Sequence, residues 1–217
     1  NVPRLAELFN EAGYHTGYIG KWHLARHKAG AVSEEDRGGY REWLASNALE
    51  MTSNAYDTVM WDGDNREVHL PGYRVDACTD AMIRFLDRNR EDPFLLMTSF
   101  LEPHHQNHID DYPPPDGYRE RYARCWVPPD LAALGGSTQQ HLAGYYGMVK
   151  RLDEALGRVV DALKSLRMLD RTIILFCSDH GCHFKTRNSE YKRSCHESSI
   201  RVPSMLHGGP FTGGGKV

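Results

Sequence analysis

Two apolar runs constrain this chain more than any other feature. "PFLLMTSFL" (93–101) and "TIILFC" (172–177) carry almost no polar residue. A strand with one wet face alternates apolar and polar side chains, because successive residues point to opposite faces. An unbroken apolar run marks a strand covered on both faces, as in a parallel sheet flanked by helices. Helical spacing precedes each run. In "RVDACTDAMIRFLDRN" (74–89), Val75, Cys78, Met82, Phe85 and Leu86 recur at helical intervals. Residues 138–166 place Leu142, Tyr145, Val149, Leu152, Leu156, Val159, Val160, Leu163 and Leu166 mostly three and four apart, the pattern of a long amphipathic helix. A third pair stands at the start. "PRLAELFNEAG" reads as a helix with Leu5, Leu8, Phe9 and Ala12 on one face and Gly13 as its stop, followed by the short strand "YHTGYIG". "VPSML" (202–206) is a candidate fourth strand.

Helix–strand repeated three times predicts an α/β fold, a mostly parallel sheet with helices on both faces. The length, 217 residues, suits one sizeable core. Residues 26–70 and 106–137 are polar or proline-rich and read as irregular insertions over the edge where the strands end. In such sheets ligands bind outside the carboxyl ends of the strands. The first strand ends in Lys21 and His23, the second in Glu102, His104, His105 and Gln106, the third in Asp179 and His180. If the three are parallel neighbours, these groups meet along one edge.

Net charge −3 gives no electrostatic case for nucleic acid or an anionic membrane as partner. No stretch of about 18 apolar residues is present, so no membrane span is expected. The first residues, "NVPRLAELF", lack a secretory hydrophobic region. Five cysteines without a C-x-x-C pair argue against a full disulfide framework. The edge groups admit two accounts each. Asp179 and His180 either cap a turn that Gly181 closes or offer an oxygen and a nitrogen to a divalent cation. His104 and His105 either decorate a loop or serve proton transfer or metal binding. Lys21 and His23 share a face if the chain stays extended. Lys185, Arg187, Lys192 and Arg193 either form a solvated face or clamp an anion. Histidines, one acid and several cations suit hydrolysis or transfer of an anionic ester, a sulfate or a phosphate. No nucleophile elbow and no glycine-rich phosphate loop is present.

"AGYHTGYIGKWHL", "SFLEPHH", "YYGMVKRLDEALGRVVDALKSLRMLDRTIILFCSDHG" and "ESSIRVP", in this order, resemble the type I sulfatases of the alkaline-phosphatase-like superfamily. The resemblance runs from about residue 3 to about residue 210 and implies one partial sulfatase catalytic domain over 1–217. It implies a metal, normally calcium, on Asp179 with His180 at the adjacent position. It implies sulfate contacts from Lys21 and Lys192, with Lys185 as rival to the latter. His23 would assist the nucleophile, and His104 would protonate the leaving oxygen, with His105 as its rival. Arg187 beside the sulfate would read hydroxyls or a second acidic group. The family's nucleophile, a cysteine or serine in C/S-x-P/A-x-R that becomes formylglycine, has no counterpart at Cys78, Cys125, Cys177, Cys182 or Cys195. Its paired acidic metal ligands are absent too, so the chain is expected to be truncated at both ends and inactive alone. Family members work in periplasmic, secreted or lysosome-like compartments. The expected substrate is a small-molecule or oligosaccharide sulfate ester. A phosphatase or phosphonate-ester hydrolase, and a non-catalytic anion- or sugar-binding module, are the alternatives.

Overall fold

The computed structural model describes residues 2–26 and 29–211. Its core is a five-stranded sheet built from β1 (His15–Lys21), β2 (Glu42–Ser46), β3 (Thr58–Asp62), β4 (Glu67–Leu70) and β5 (Phe94–Ser99), in the order β4-β3-β2-β1-β5. β1 is an interior strand, parallel to both β2 and β5, and only β3 runs against the rest. Helices lie on both faces. On one, α1 (Leu5–Glu11) reaches the sheet through Asn10, which accepts a hydrogen bond from the Thr16 hydroxyl at 2.9 Å. On the other, α2 (Arg74–Arg88) sits so close that a Cβ on Gly17 would lie 2.4 Å from the Phe85 ring. Thr16 and Gly17 are neighbours on a strand, so they face opposite sides.

Residues 26–70 differ from expectation: they are not irregular, since they supply β2, β3 and β4. These strands are four or five residues long, too short for "EWLAS", "TVMWD" and "EVHL" to display a period against their polar turns. Residues 106–137 contain a 3-10 turn (Asn107–Ile109) and two single-turn helices, α3 (Tyr118–Arg121) and α4 (Pro129–Ala132).

α5 (Thr138–Ser165) extends over 28 residues. Val159 and Leu163 pack with Phe85 and Leu86 of α2, while Leu142 and Met148 pack with Tyr112 and Phe184 of the loops. It therefore ties the sheet to the loops beyond it. α1 turns its expected apolar face outward. Ala6 is its buried residue, and Leu5 and Leu8 are exposed, because Asn10 and Ala6 are what dock on the sheet.

The third predicted strand needs the largest correction. β6 (Ile174–Cys177) is not a parallel neighbour of β5. Among the described residues it pairs only with β7 (Ser204–His207), antiparallel, beyond the four-residue helix α6 (Glu197–Ile200). Nor is it covered on both faces: Ile174 packs inward while Leu175 is 64% exposed. β5 is an edge strand with Met97 45% exposed.

Candidate functional site

β1 brings Lys21 to the edge of the sheet through an unusual approach. Gly20, just before it, has φ +107, and a Cβ there would stand 2.1 Å from the carbonyl oxygen of Ser99 on β5. Only glycine lets the two strands close here. The Tyr18 hydroxyl donates to the Lys21 carbonyl, fixing the strand end. β5 then runs into the loop 101–106, which is anchored from below. Glu102 and Arg74 are both 0% exposed, and the Arg74 Nε donates to Glu102 Oε1 at 2.9 Å. Arg74 also donates to Gln106 Oε1 at 3.3 Å, and the Gln106 amide donates to the carbonyl of Glu50 at 2.9 Å. A buried charge survives only when paired and hydrogen-bonded, so this anchor fixes the loop that carries His104 and His105.

The last segment closes over this loop. Lys192 Nζ lies 3.1 Å from His104 Nε2 and 3.0 Å from His180 Nε2. The Tyr191 hydroxyl lies 2.8 Å from His104 Nε2. The tautomers follow from the opposite ring atoms. His104 Nδ1 donates to the carbonyl of His105 at 2.6 Å, and His180 Nδ1 to that of Gly181 at 2.8 Å. Both rings therefore turn a neutral Nε2 lone pair toward the Lys192 ammonium. Burial, with Lys21 and Lys192 close by, pushes His104 down to about 3. Burial, and then repulsion from Lys21, also lowers Lys192. Lys21 pairs with Glu50 at 3.1 Å. The cluster thus gathers Lys21, Lys192, His104, His180, Tyr191 and Glu50, two cations and one carboxylate around two neutral imidazoles, although β6 is not part of the main sheet.

The rivals separate. His105 and Lys185 meet elsewhere, at Asp110: His105 Nε2 is 2.8 Å and Lys185 Nζ 2.7 Å from its Oδ1. His105 is buried among Tyr112, Tyr191 and His141. Arg187 is exposed, near His183. His23 does not stay extended beside Lys21. β1 ends at Lys21, and His23 takes φ +66 and is exposed, with no hydrogen-bond partner among the described residues. Sequence patterning does not reveal Glu50, which lies in the segment expected to be irregular, or Tyr191, whose adjacency to Lys192 is the available signal.

Asp179 and His180 do not by themselves fit a calcium ion. Calcium takes six to eight oxygen ligands. Among the described residues no group of three or more histidine, cysteine or acidic side chains converges on one point. The Asp179 side chain is 87% exposed, and the only free His180 lone pair faces an ammonium. A dication at that nitrogen would have to displace Lys192.

A family model described as Sulfatase matches residues 1–210. The ulvan-active sulfatase of Formosa agariphila is 30% identical over 211 residues, covering 93% of this chain and 40% of that protein. A Bacteroides thetaiotaomicron protein of glycosaminoglycan metabolism superimposes with TM-score 0.80 at 19% identity, over 96% of this chain and 48% of its own. A structure solved with its substrate D-glucosamine-2-N,6-O-disulfate gives TM-score 0.67 at 23% identity, over 94% and 55%. At these identities the two structures establish the fold. The chain spans about two fifths to one half of the lengths of these proteins. With its mostly parallel sheet, its helices on both faces and a family match across nearly all its length, the chain belongs to the sulfatase family.

Proposed function

We propose that Lys21, Lys192 and His104 bind the sulfo group of a carbohydrate sulfate ester, as part of a sulfuric-ester hydrolase. The observation that carries this is the convergence of Lys192 on His104 and His180 within 3.1 Å, with Lys21 close enough to repel it. Two ammoniums that destabilise each other gain most when an oxyanion enters between them. His104 is the proton donor to the leaving oxygen. As folded it is neutral, held so by burial and the two cations. An ester anion on Lys21 and Lys192 cancels their repulsion and raises the basicity of His104, so substrate binding readies the acid. Tyr191 holds its Nε2 in place. His23, exposed just past Lys21, is assigned to the nucleophile side. Lys185 and Arg187 are assigned to the remainder of the substrate, with His105 buried and joined to Lys185 through Asp110. Asp179 and His180 alone offer too few donors to hold a metal ion. An ulvan-active relative and a structural neighbour with a sulfated glucosamine support a carbohydrate sulfate.

Titration calorimetry with inorganic sulfate tests this. The protein should bind sulfate saturably, and Lys192→Ala should weaken binding about tenfold or more, the scale of one charge-assisted contact. Undiminished binding by folded Lys192→Ala would refute the assignment.

A further inference from the structure

Glu50 has no role in the chemistry described so far, yet it is the carboxylate that pairs with Lys21 in the charge cluster. It sits on a one-turn 3-10 helix, Leu49–Met51, entered through Ala48 at φ +53. Its backbone carbonyl is held by Gln106, from the loop that carries His104. Its side chain is 11% exposed, against 12% for Lys21. The ammonium of Lys21 straddles the carboxylate, 3.2 Å from Oε1 and 3.1 Å from Oε2. Only Oε1 accepts a hydrogen bond, and Oε2 is buried without one. Burial opposes the charge, but Lys21 outweighs it and holds the Glu50 carboxyl below the usual range.

A largely buried carboxylate whose one cationic hydrogen-bond partner is a single ammonium is expensive to maintain. It persists here because Lys21 and Lys192 would otherwise leave an uncompensated double positive charge in a half-buried site. The other acid acting on Lys192 is Asp179, which is largely in solvent, and Arg193 adds a further cation.

We propose that Glu50 is an internal counter-anion of the site, a positioning residue that holds the Lys21 ammonium in place and competes with the sulfo group for it. A bound sulfo oxygen takes a share of the ammonium that both carboxylate oxygens now divide. Glu50 thereby keeps Lys21 ordered between turnovers, at the cost of weaker ground-state binding. This inference rests on the proposal that the cluster receives sulfate.

The test is sulfate affinity, measured by calorimetry on the wild type, Glu50→Asp, Glu50→Gln and Lys192→Ala, with melting temperatures alongside. Glu50→Gln keeps the shape and removes the charge, so sulfate should bind roughly five- to tenfold tighter, the scale of one half-buried charge contact. Glu50→Asp draws the carboxylate back from Lys21 and should tighten binding about two- to threefold on the same grounds. A carboxylate that served the fold alone would lower the melting temperature and leave affinity unchanged or weaker. If Glu50→Gln does not fold, Glu50→Asp decides by itself. Sulfate affinity that is unchanged or weaker in the folded variants overturns the proposal, while Lys192→Ala still loses binding and the sulfate site stands. If the wild type binds no sulfate saturably, the sulfate site falls and the role of Glu50 falls with it.

Discussion

Replacing Arg74 with methionine should be among the most destabilising single changes in the protein. Arg74 and Glu102 are both fully buried, and the guanidinium bonds Glu102 Oε1 at 2.9 Å, Gln106 Oε1 at 3.3 Å and the Ser53 carbonyl at 3.4 Å. Glu102 Oε2 has no other partner. Arg74→Met therefore strands a carboxylate in the interior. Removing one partner of a buried pair costs about 3–5 kcal/mol, whereas replacing both with apolar residues of similar volume is nearly neutral. At ~2–4 °C per kcal/mol for a chain of this size, the single variant should melt on the order of 10 °C lower. Arg74→Met/Glu102→Leu should recover most of the loss, ending within ~1–2 kcal/mol of wild type. Urea unfolding of the wild type, both single variants and the double variant measures this. The single variant should also weaken sulfate binding, because the 101–106 loop that carries His104 loses its buried anchor. A cost below about 1 kcal/mol for Arg74→Met, or a double variant as unstable as the sum of the singles, would refute the role of the pair as the anchor of the loop.

Three further outcomes are expected. Gly20→Ala should cost about 3 kcal/mol or more in thermal unfolding, since it combines a left-handed backbone with a collision against Ser99, while Gly13→Ala, at φ +85 in open space, should cost only about 1 kcal/mol. Tyr191→Phe removes a donor to the lone pair of neutral His104, so the His104 titration followed by NMR should move upward from its low value by up to about one unit. Glu42 is partly buried, which opposes its charge, but Arg88, Asn89 and His15 hold its carboxyl below the usual range. Its folded value lies below the unfolded one, about 4.3, so its stabilisation is present above that pH and disappears as pH falls through the folded value. The difference in urea midpoint between wild type and Glu42→Gln should thus be constant above about pH 5.5 and vanish in stronger acid.

The parts that the sequence made legible are those whose cause is local. α2 and α5 follow from apolar spacing, and Val75, Cys78, Phe85 and Leu86 are buried where the period places them. That the strand ends of β1 and β5 lie side by side follows from parallel pairing, which sets Gly20 against Ser99. What stayed hidden was set by partners distant in sequence. β2, β3 and β4 are held by β1 and by one another rather than by any internal pattern. The apolar content of β6 does not say which strand it will meet, and it met β7. Glu50 draws its importance from Lys21, 29 positions away, and from Gln106, 56 positions away. That the loop turns His104 toward Lys192 is likewise set by a partner far along the chain, while His105 turns toward Asp110.

The separate pairing of β6 and β7 has a consequence for how such a protein can diversify. Lys21 and the loop of His104 are tied to the register of the main sheet, where a one-residue slip turns every side chain to the other face. His180, Lys185, Arg187 and Lys192 ride on the span between two strands that are hydrogen-bonded only to each other among the described residues. Insertions or exchanges in that span leave the main sheet untouched. Substitutions in that span can therefore alter what surrounds Lys192 without shifting the register that sets Lys21 and the His104 loop.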